Sequence, residues 1–153
     1  TLLNLSLADQ DTFAHSIARK AALTTNQLLQ AGEWLSDLLR LNHTDLESYL
    51  KSTALGSVLD HPSLDRRARA EGFCQALRAL RFPQLAEREK KFRTLAERLQ
   101  DQFDGLSVQA PASFEDEGIT LSVRVRNPES LAGLVAKIES RYPLLHSLFD
   151  VLR

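Results

Sequence analysis

The sequence predicts a mainly α-helical chain with a small α+β unit at its carboxyl end, that is, a helical array followed by a β-hairpin and a helix. Apolar residues recur at intervals of three and four through residues 8–103, as in amphipathic helices. After Gly105 the interval becomes two, most clearly over residues 119–126, where apolar and polar residues alternate. Helical spacing returns after Asn127, so a helix is expected to follow the hairpin.

The first two predicted helices are bounded by residues that favour helix ends. Ser6 stands three residues before Asp9, a spacing typical of a helix amino terminus, and a helix is predicted over residues 8–23. One of the two threonines that follow interrupts this helix and can cap a second helix over residues 26–41.

Two more helices are predicted before the first proline break. Thr44 and Glu47 have the spacing of a capping box for a short third helix. Residues 56–62, which include glycine and proline, are predicted to be a connector. Ser63 is then expected to open a helix that runs to Arg81, with apolar residues on one side and arginines on the other.

Pro83 is predicted to end that helix and to begin the next one, because proline fits the first helical position but not a helix interior. The new helix carries apolar residues at near-heptad spacing, at Leu85, Phe92, Leu95, Leu99 and Phe103. A single short run of this kind is typical of a core-facing stripe, and a coiled-coil seam is the alternative.

The predicted hairpin pairs residues 106–110 with residues 119–126. Asn127 is expected to cap the following helix, with Pro128 at its first position, and Pro143 to end that helix before a last amphipathic segment. Two strands alone are only marginally stable in water, so the hairpin is expected to pack on helices or to pair with another chain.

One compact domain is predicted, since 153 residues suffice for a single buried core. Its expected subregions are an amino-terminal helical part over residues 1–55, a basic helix pair over residues 63–104 and a strand–strand–helix unit over residues 105–153. Methionine is absent even at position 1, where Thr1 stands. We therefore expect the chain to be a domain of a longer protein.

The composition is typical of a folded globular domain. Hydrophobic residues make up 43% and charged residues 25% of the chain. Cys74 is the one cysteine, so an internal disulfide is excluded and a secreted disulfide scaffold is not expected. The sequence contains neither an apolar run long enough for a membrane helix nor the pattern of a signal peptide. The predicted location is the cytoplasm, with no membrane partner.

The formal net charge of −1 conceals a basic middle segment. Residues 65–98 hold ten basic and five acidic residues, a local net charge of +5, whereas the flanking segments are each net negative. Such a segment can contact an anionic partner such as DNA, or it can form solvated helix faces with internal Arg–Glu pairs. The candidate DNA contacts are Arg66, Arg67, Arg78, Arg81, Lys90 and Lys91.

Residues 17–29 resemble a helix-turn-helix, with Ala22 in the turn. The second helix would present Thr25, Asn26 and Gln27 to a groove of DNA. Few cations lie nearby, which favours the other interpretation, namely two packed helices joined by a tight capped turn.

No pattern of catalytic or metal-binding residues is found in the sequence. The four histidines are scattered, and none lies at helical spacing from another or from Cys74. The acidic run at residues 115–117 is typical of a solvated loop, and no glycine-rich phosphate loop occurs. We therefore predict a protein that is not an enzyme, without a cofactor, a metal site or a small-molecule substrate.

Several short motifs lie between Leu64 and Leu131. They are residues 64–67, residues 77–83, the spacing of Glu89, Phe92 and Leu99, residues 108–111, Phe114-Glu115 and residues 119–126. Together with Leu5-Ser6-Leu7 upstream, these motifs make the chain similar to the carboxy-terminal region of a group of bacterial ParB-like chromosome-partition proteins. In that group, a ParB/sulfiredoxin-like domain and a helix-turn-helix precede this region.

The resemblance implies an accessory domain that contributes self-association, DNA contact or both, with the DNA-reading element upstream. The Gly-Glu-Arg-Arg motif with which ParB domains bind nucleotide is absent, so neither CTP hydrolysis nor nuclease activity is implied. Leu80 and Arg81 stand where the related sequences tend to have two arginines before Phe-Pro, which weakens a basic patch at that point.

Two functions are therefore expected. The first is a non-enzymatic accessory domain of a ParB-like DNA-binding protein, and the alternative is a protein–protein adaptor without a nucleic-acid role. The lone hairpin further predicts a homodimer whose sheet is completed across a two-fold axis. The candidate interface residues are Ile119, Leu121, Val123 and Val125.

Overall fold

The computed structural model describes residues 4–102, 105–111, 118–125 and 127–152. It confirms the predicted fold class, because the chain is mainly helical with one antiparallel pair of strands and a helix after it. The chain divides into two compact units, Thr1–Pro83 and Gln84–Arg153, here called unit 1 and unit 2. This division falls inside the predicted subregion 63–104 and assigns its two helices to different units, whereas the sequence suggested a single compact domain.

All regular secondary structure in the described part of unit 1 is helical. The first helix, α1, continues directly into a π-helical segment that ends five residues before the predicted helix end. The elements are α1 (Leu7–Thr12), the π-helical segment (Phe13–Ala18), α2 (Thr25–Asn42), α3 (Leu46–Ser52), α4 (Ala54–Leu59) and α5 (Arg66–Arg81).

Two of the predicted caps are formed as expected. The Ser6 hydroxyl accepts a hydrogen bond from the Asp9 backbone amide at 3.1 Å and so caps α1. In α2, the Thr24 hydroxyl accepts from the Gln27 amide at 3.3 Å, while the Thr24 amide donates to the Gln27 side chain at 2.9 Å. This reciprocal pair is a complete capping box.

The predicted cap of α3 is wrong. Asp45, rather than Thr44, is the capping residue, because its carboxylate accepts from both the amide and the hydroxyl of Ser48, at 2.8 and 2.9 Å. Glu47 instead forms an ion pair with Lys51 at 2.6 Å. A carboxylate one residue further along therefore replaces the predicted threonine.

The predicted connector over residues 56–62 is wrong in its first part, since those residues belong to α4. Leu55 and Leu59 lie four residues apart and are both buried, which holds the short helix against the core. A Cβ atom added to Gly56 would lie 2.6 Å from the Leu50 carbonyl oxygen. The glycine therefore permits a close approach of two backbones. It does not mark a loop.

The helix α5 begins at Arg66, three residues after the predicted start at Ser63. Asp65 caps it by accepting from the Ala68 amide at 2.7 Å. Leu77 is fully buried, whereas Leu80, predicted on the same apolar face, is 37% exposed.

The core of unit 1 is formed by residues from the π-helical segment and from α2, α3, α4 and α5, together with Leu5 and Ala21. Its described part contains sixteen buried hydrophobic residues. The largest of the fully buried side chains are Ile17, Leu35, Leu46, Leu55, Leu59, Phe73 and Leu77.

Unit 2 contains the strand pair. Its elements are α6 (Pro83–Gln100, beginning at the last residue of unit 1), β1 (Leu106–Gln109), β2 (Thr120–Val123), α7 (Pro128–Ser140) and α8 (Tyr142–Leu152). Pro83 and Pro128 occupy first helical positions as predicted. The prediction that Pro143 ends a helix is wrong, because α7 ends at Ser140 and Pro143 lies in the first turn of α8.

The two strands are antiparallel, with Leu106 opposite Val123 and Val108 opposite Leu121. The core of unit 2 is small, with seven buried hydrophobic residues in the described part, and none of the described side chains of α7 is buried. The buried residues are Phe92, Ala96, Leu99, Leu106, Val108, Leu148 and Leu152. Phe103 of the predicted apolar stripe, Arg126 of the predicted strand and the acidic run at residues 115–117 lie outside the described residues.

Candidate interaction surfaces

The six candidate DNA contacts are divided between the two units, with four arginines on α5 and two lysines on α6. On α5, Arg66 is held at the start of the helix. Its guanidinium donates to the Ala18 carbonyl at 3.1 Å, and its own carbonyl accepts from the Ala22 amide at 2.9 Å. Arg66 therefore satisfies a carbonyl at the end of the π-helical segment and fixes the chain that follows it.

Arg81 is held at the other end of α5. Its guanidinium donates to the Asp37 carboxylate at 3.0 Å, and both side chains are two-thirds buried. The same guanidinium lies 5.1 Å from the centre of the Phe82 ring, which meets Trp34 edge-on at 5.6 Å. This group, here called the Arg81 cluster, ties the end of α5 to α2.

The remaining candidates on α5 lie on its exposed face. Arg67 forms an ion pair with Glu71 at 3.3 Å, and Arg78 is exposed. Arg69, which is not among the six candidate DNA contacts, donates to the His61 carbonyl at 3.1 Å. The helix therefore uses much of its positive charge within unit 1.

The helix α6 carries more exposed positive charge than the two lysines selected from the sequence. Lys91 forms an ion pair with Glu87 at 2.8 Å, and this ammonium group lowers the pKa of the Glu87 carboxyl. Lys90 is exposed and forms no ion pair with another described residue. Three further arginines of α6 are likewise exposed and form no ion pair with another described residue. They were not among the candidate DNA contacts, although all three lie in the basic segment. They are Arg88, Arg93 and Arg98.

The helix-turn-helix-like segment uses its polar residues for capping. Gln27, one of the proposed reading residues, forms the capping box with Thr24, and Ala22 in the turn donates to Arg66. Thr25 and Asn26 are exposed. The hydrogen bonds of this segment are those of a tight capped turn.

The four candidate interface residues do not share one environment. Because directly opposite residues in an antiparallel pair face the same side, Leu121 and Val123 face the side of Leu106 and Val108. Ile119 and Val123 pack against the core of unit 2. Leu121 and Val125 are exposed, so the hairpin leaves part of its apolar surface uncovered.

Further apolar side chains of unit 2 are exposed. Together with Leu121 and Val125 they are here called the exposed apolar set, and each member is between 39% and 66% exposed. Of the described side chains of α7, Leu134 and Ile138 pack against the core of unit 2. The additional members are Leu131, Val135, Tyr142 and Phe149.

A groove of about 510 Å³ lies between α6 and β1. Phe92, Ala96 and Val108 provide apolar surface, and Arg93 and Glu97 of α6 provide charge. No described residue of β2 is among those that line the groove.

The described residues provide no arrangement typical of a catalytic or metal site. Cys74 is half-buried, and this burial raises the pKa of its thiol, which disfavours the nucleophilic thiolate. Asp9 lines a wide polar cleft of unit 1 but accepts from the Leu46 amide at 2.8 Å, a structural bond. No cluster of three or more potential metal ligands occurs among these residues. Within the same part of the chain, no helix is long and apolar enough to cross a membrane.

Comparisons with protein families, with curated proteins and with solved structures find no match for this chain. The surfaces of the chain itself are therefore what points to a function. Two of them are available to a partner, namely the incompletely covered hairpin and helices of unit 2 and the exposed cations of α6.

Proposed function

We propose that this chain is a non-enzymatic, cytoplasmic accessory domain of a ParB-like DNA-binding protein and that it self-associates through unit 2. Support for a ParB-like parent comes from the sequence motifs between Leu64 and Leu131 and from Leu5-Ser6-Leu7. Self-association is supported by the exposed apolar set, which is the observation that carries the proposal.

Unit 2 buries few hydrophobic residues. It has seven buried hydrophobic residues among its 60 described residues, against sixteen among the 80 described residues of unit 1. A two-stranded sheet is marginally stable alone, and each strand has one edge without a partner strand in the described part. Apolar side chains left exposed beside open strand edges are typical of an interface.

The test is the mass of the chain in solution, measured by sedimentation equilibrium across a range of concentrations. We expect a dimer at tens of micromolar, weakened by Leu121→Lys because the substitution places a charge in the exposed apolar set. The matched control is Leu41→Lys, an exposed leucine of unit 1, which should leave the equilibrium unchanged. A chain that stays at 17.2 kDa throughout would refute the proposal.

DNA contact is a second proposed role, supported by the exposed cations of α6. Lys90, Arg88 and Arg98 are not engaged in ion pairs with described residues, so they can approach phosphates without first breaking such a pair. Phosphate contacts release counterions, and binding through them must weaken steeply as salt rises.

The corresponding measurement is binding to a random duplex across a salt series. We expect Lys90→Ala/Arg98→Ala to weaken binding and to reduce the salt slope by about one for each phosphate that the variant no longer neutralises. Arg67→Ala, which removes an arginine already paired with Glu71, serves as the control. No binding even at low salt would favour the protein–protein adaptor.

A further inference from the structure

We infer that the second copy binds at the outer edge of β2, so that the two β2 strands pair antiparallel about a two-fold axis at Val123. This inference rests on the proposed self-association and specifies its geometry. The two hairpins then form one sheet of four antiparallel strands, in the order β1-β2-β2-β1. In this register, Leu121 of each copy lies opposite Val125 of the other.

The two strands of the hairpin differ in how well the core of unit 2 covers them. Val108 of β1 and Leu121 of β2 are directly opposite each other, so their side chains face the same side of the pair. Val108 is 8% exposed, whereas Leu121 is 40% exposed. The core therefore covers this side of β1 and leaves the same side of β2 partly open to solvent.

The outer edge of β2 has no partner strand in the described part of the chain. β2 is hydrogen-bonded to β1 on one side, and no other described strand pairs with it. Thr120, Leu121 and Ser122 are all exposed, so side chains on both faces of the strand are uncovered. In an antiparallel pair, every second residue directs its amide and carbonyl away from the partner strand. A second β2 strand can satisfy these backbone groups.

The exposed apolar residues at this edge are placed symmetrically. Leu121 and Val125 lie two residues before and two residues after Val123, and alternate residues of an extended chain face the same side. The chain stays beside the start of β1 after the strand ends, since the Arg124 carbonyl oxygen lies 4.0 Å from a Cβ atom added to Gly105. An antiparallel pair centred on Val123 therefore brings Leu121 opposite Val125 twice, and these two exposed residues cover each other.

Other registers match these residues less well. A pair centred on Ser122 would place Leu121 opposite Val123, which already packs against the core of its own unit. A pair centred on Arg124 would place two guanidinium groups directly opposite each other, and like charges in that position are destabilising. When the pair is centred on Val123, Arg124 lies opposite the uncharged Ser122 of the other copy.

These requirements favour a second copy as the occupant. The edge needs an extended partner that has apolar residues four positions apart on one face and no cation opposite Arg124. The β2 segment itself has this pattern, with Leu121 and Val125 on one side and Ser122 on the other. A two-fold axis perpendicular to the sheet presents it in the antiparallel direction and keeps the core sides of both hairpins on the same face.

The first test introduces opposite charges at the two facing positions, with the dimer dissociation constant measured by sedimentation equilibrium. Leu121→Lys and Val125→Glu should each weaken the dimer by roughly tenfold, because two-fold symmetry removes the Leu–Val contact twice. In a mixture of the two variants, the heterodimer keeps one Leu–Val contact and replaces the other by a Lys–Glu pair. We therefore expect the mixture to associate more tightly than either variant alone.

Two controls isolate the register. Leu121→Lys mixed with Val125→Lys places two ammonium groups opposite each other, and this mixture should associate more weakly than the Lys–Glu mixture. Leu131→Glu puts the same acidic charge on an exposed leucine of α7, outside the paired strands. Its mixture with Leu121→Lys should not associate more tightly than Leu131→Glu alone. Circular dichroism spectra equal to that of the parent show that the variants fold.

A disulfide cross-link measures the register directly and needs no added charge, so it decides the question even if a charged variant does not fold. Cys74→Ser first removes the native thiol, and Leu121→Cys and Val125→Cys chains are then mixed and oxidised. Directly opposite residues have Cα atoms about 4.5–5.5 Å apart, which suits a disulfide. Two copies of one variant would hold their cysteines four residues apart, about 13 Å along the strands. We therefore expect the cross-link in the mixture and not in either variant alone.

The outcomes separate this inference from the proposed self-association. A parent that dimerises without rescue on mixing, with rescue by Leu131→Glu as well, or without the selective cross-link would overturn the β2 pairing and leave self-association intact. A parent that stays monomeric at tens of micromolar would overturn both. Rescue by the Lys–Glu mixture, together with a cross-link in the mixed cysteine variants alone, would establish the pairing centred on Val123.

Discussion

Arg81 illustrates how the partner of a single residue changes its role. From the sequence it is an arginine in a basic segment and a candidate DNA contact. In the folded chain its guanidinium pairs with Asp37 and lies against the Phe82 ring, two-thirds buried. Using Arg81 for a phosphate would break these interactions, so its main contribution is to hold the end of α5 against α2.

Removing Asp37 should therefore destabilise unit 1. We expect Asp37→Ala to lower the free energy of unfolding by about 1–2 kcal/mol, because it leaves a partly buried guanidinium without its acceptor. Glu71→Ala is the control, since it removes a solvent-exposed ion pair with Arg67 and should cost about 0–0.5 kcal/mol. The measurement is urea denaturation of both variants, and an equal decrease in the two would contradict the role given to the Arg81 cluster.

At the scale of single elements, the junction of α3 and α4 depends on one close approach. Thr53 separates the two helices, and Gly56 in α4 lies against the Leu50 carbonyl of α3. Glycine would ordinarily weaken a helix, yet here the absence of a side chain lets α4 pack. The short helix is thus stabilised by tertiary packing of Leu55 and Leu59 more than by its own propensity.

Substitution of two helical glycines should therefore have opposite effects. Gly56→Ala would place a Cβ atom 2.6 Å from a backbone oxygen and should destabilise by about 1–3 kcal/mol. Gly133→Ala in α7 meets no atom within 4 Å and should stabilise that helix by about 0.5–1 kcal/mol. Thermal denaturation of the two variants measures the difference, and a stabilising Gly56→Ala would show that α3 and α4 do not approach so closely.

At the scale of the whole molecule, the two units differ in the contacts that stabilise each of them internally. In unit 1 the core includes residues of the π-helical segment and of α2 to α5, and Arg66 and Arg81 fix both ends of α5. In unit 2 the core depends on α6, the hairpin and α8, while no described side chain of α7 is buried. Local stability should follow this difference, because opening is easiest where it exposes little buried apolar surface to water.

Amide hydrogen exchange should reveal this gradient within each unit. We expect the amides of α7 to exchange faster than those of α6, and the central amides of α2 and α5 to be among the most protected in unit 1. Mass spectrometry of peptides from the exchanged chain, at a concentration below the dimer dissociation constant, measures both. Protection of α7 equal to that of α6 would mean that α7 is held by more than its two partly buried residues, Leu134 and Ile138.

Prediction from the sequence was accurate where the signal is local. The change of period after Gly105 predicted the strand pair, and Pro83 and Pro128 marked two helix starts, because a proline ring fits the first turn of a helix. Ser6 was predicted as a cap, and Thr24 as one of two candidate caps, for the same kind of reason, since a cap needs only residues three positions away.

Sequence alone thus determined the fold class, most helix starts and the location of the basic segment. The tertiary structure alone decided which arginines are held inside unit 1, that α4 is a helix, and which apolar residues of unit 2 stay exposed. The physical reason is that periodicity shows which face of a helix or strand is apolar, but it contains no information about the residues that this face contacts. Arg81 and Lys90 belong to the same basic segment, and only the distance from Arg81 to Asp37 distinguishes an arginine that holds two helices together from a lysine left on the surface.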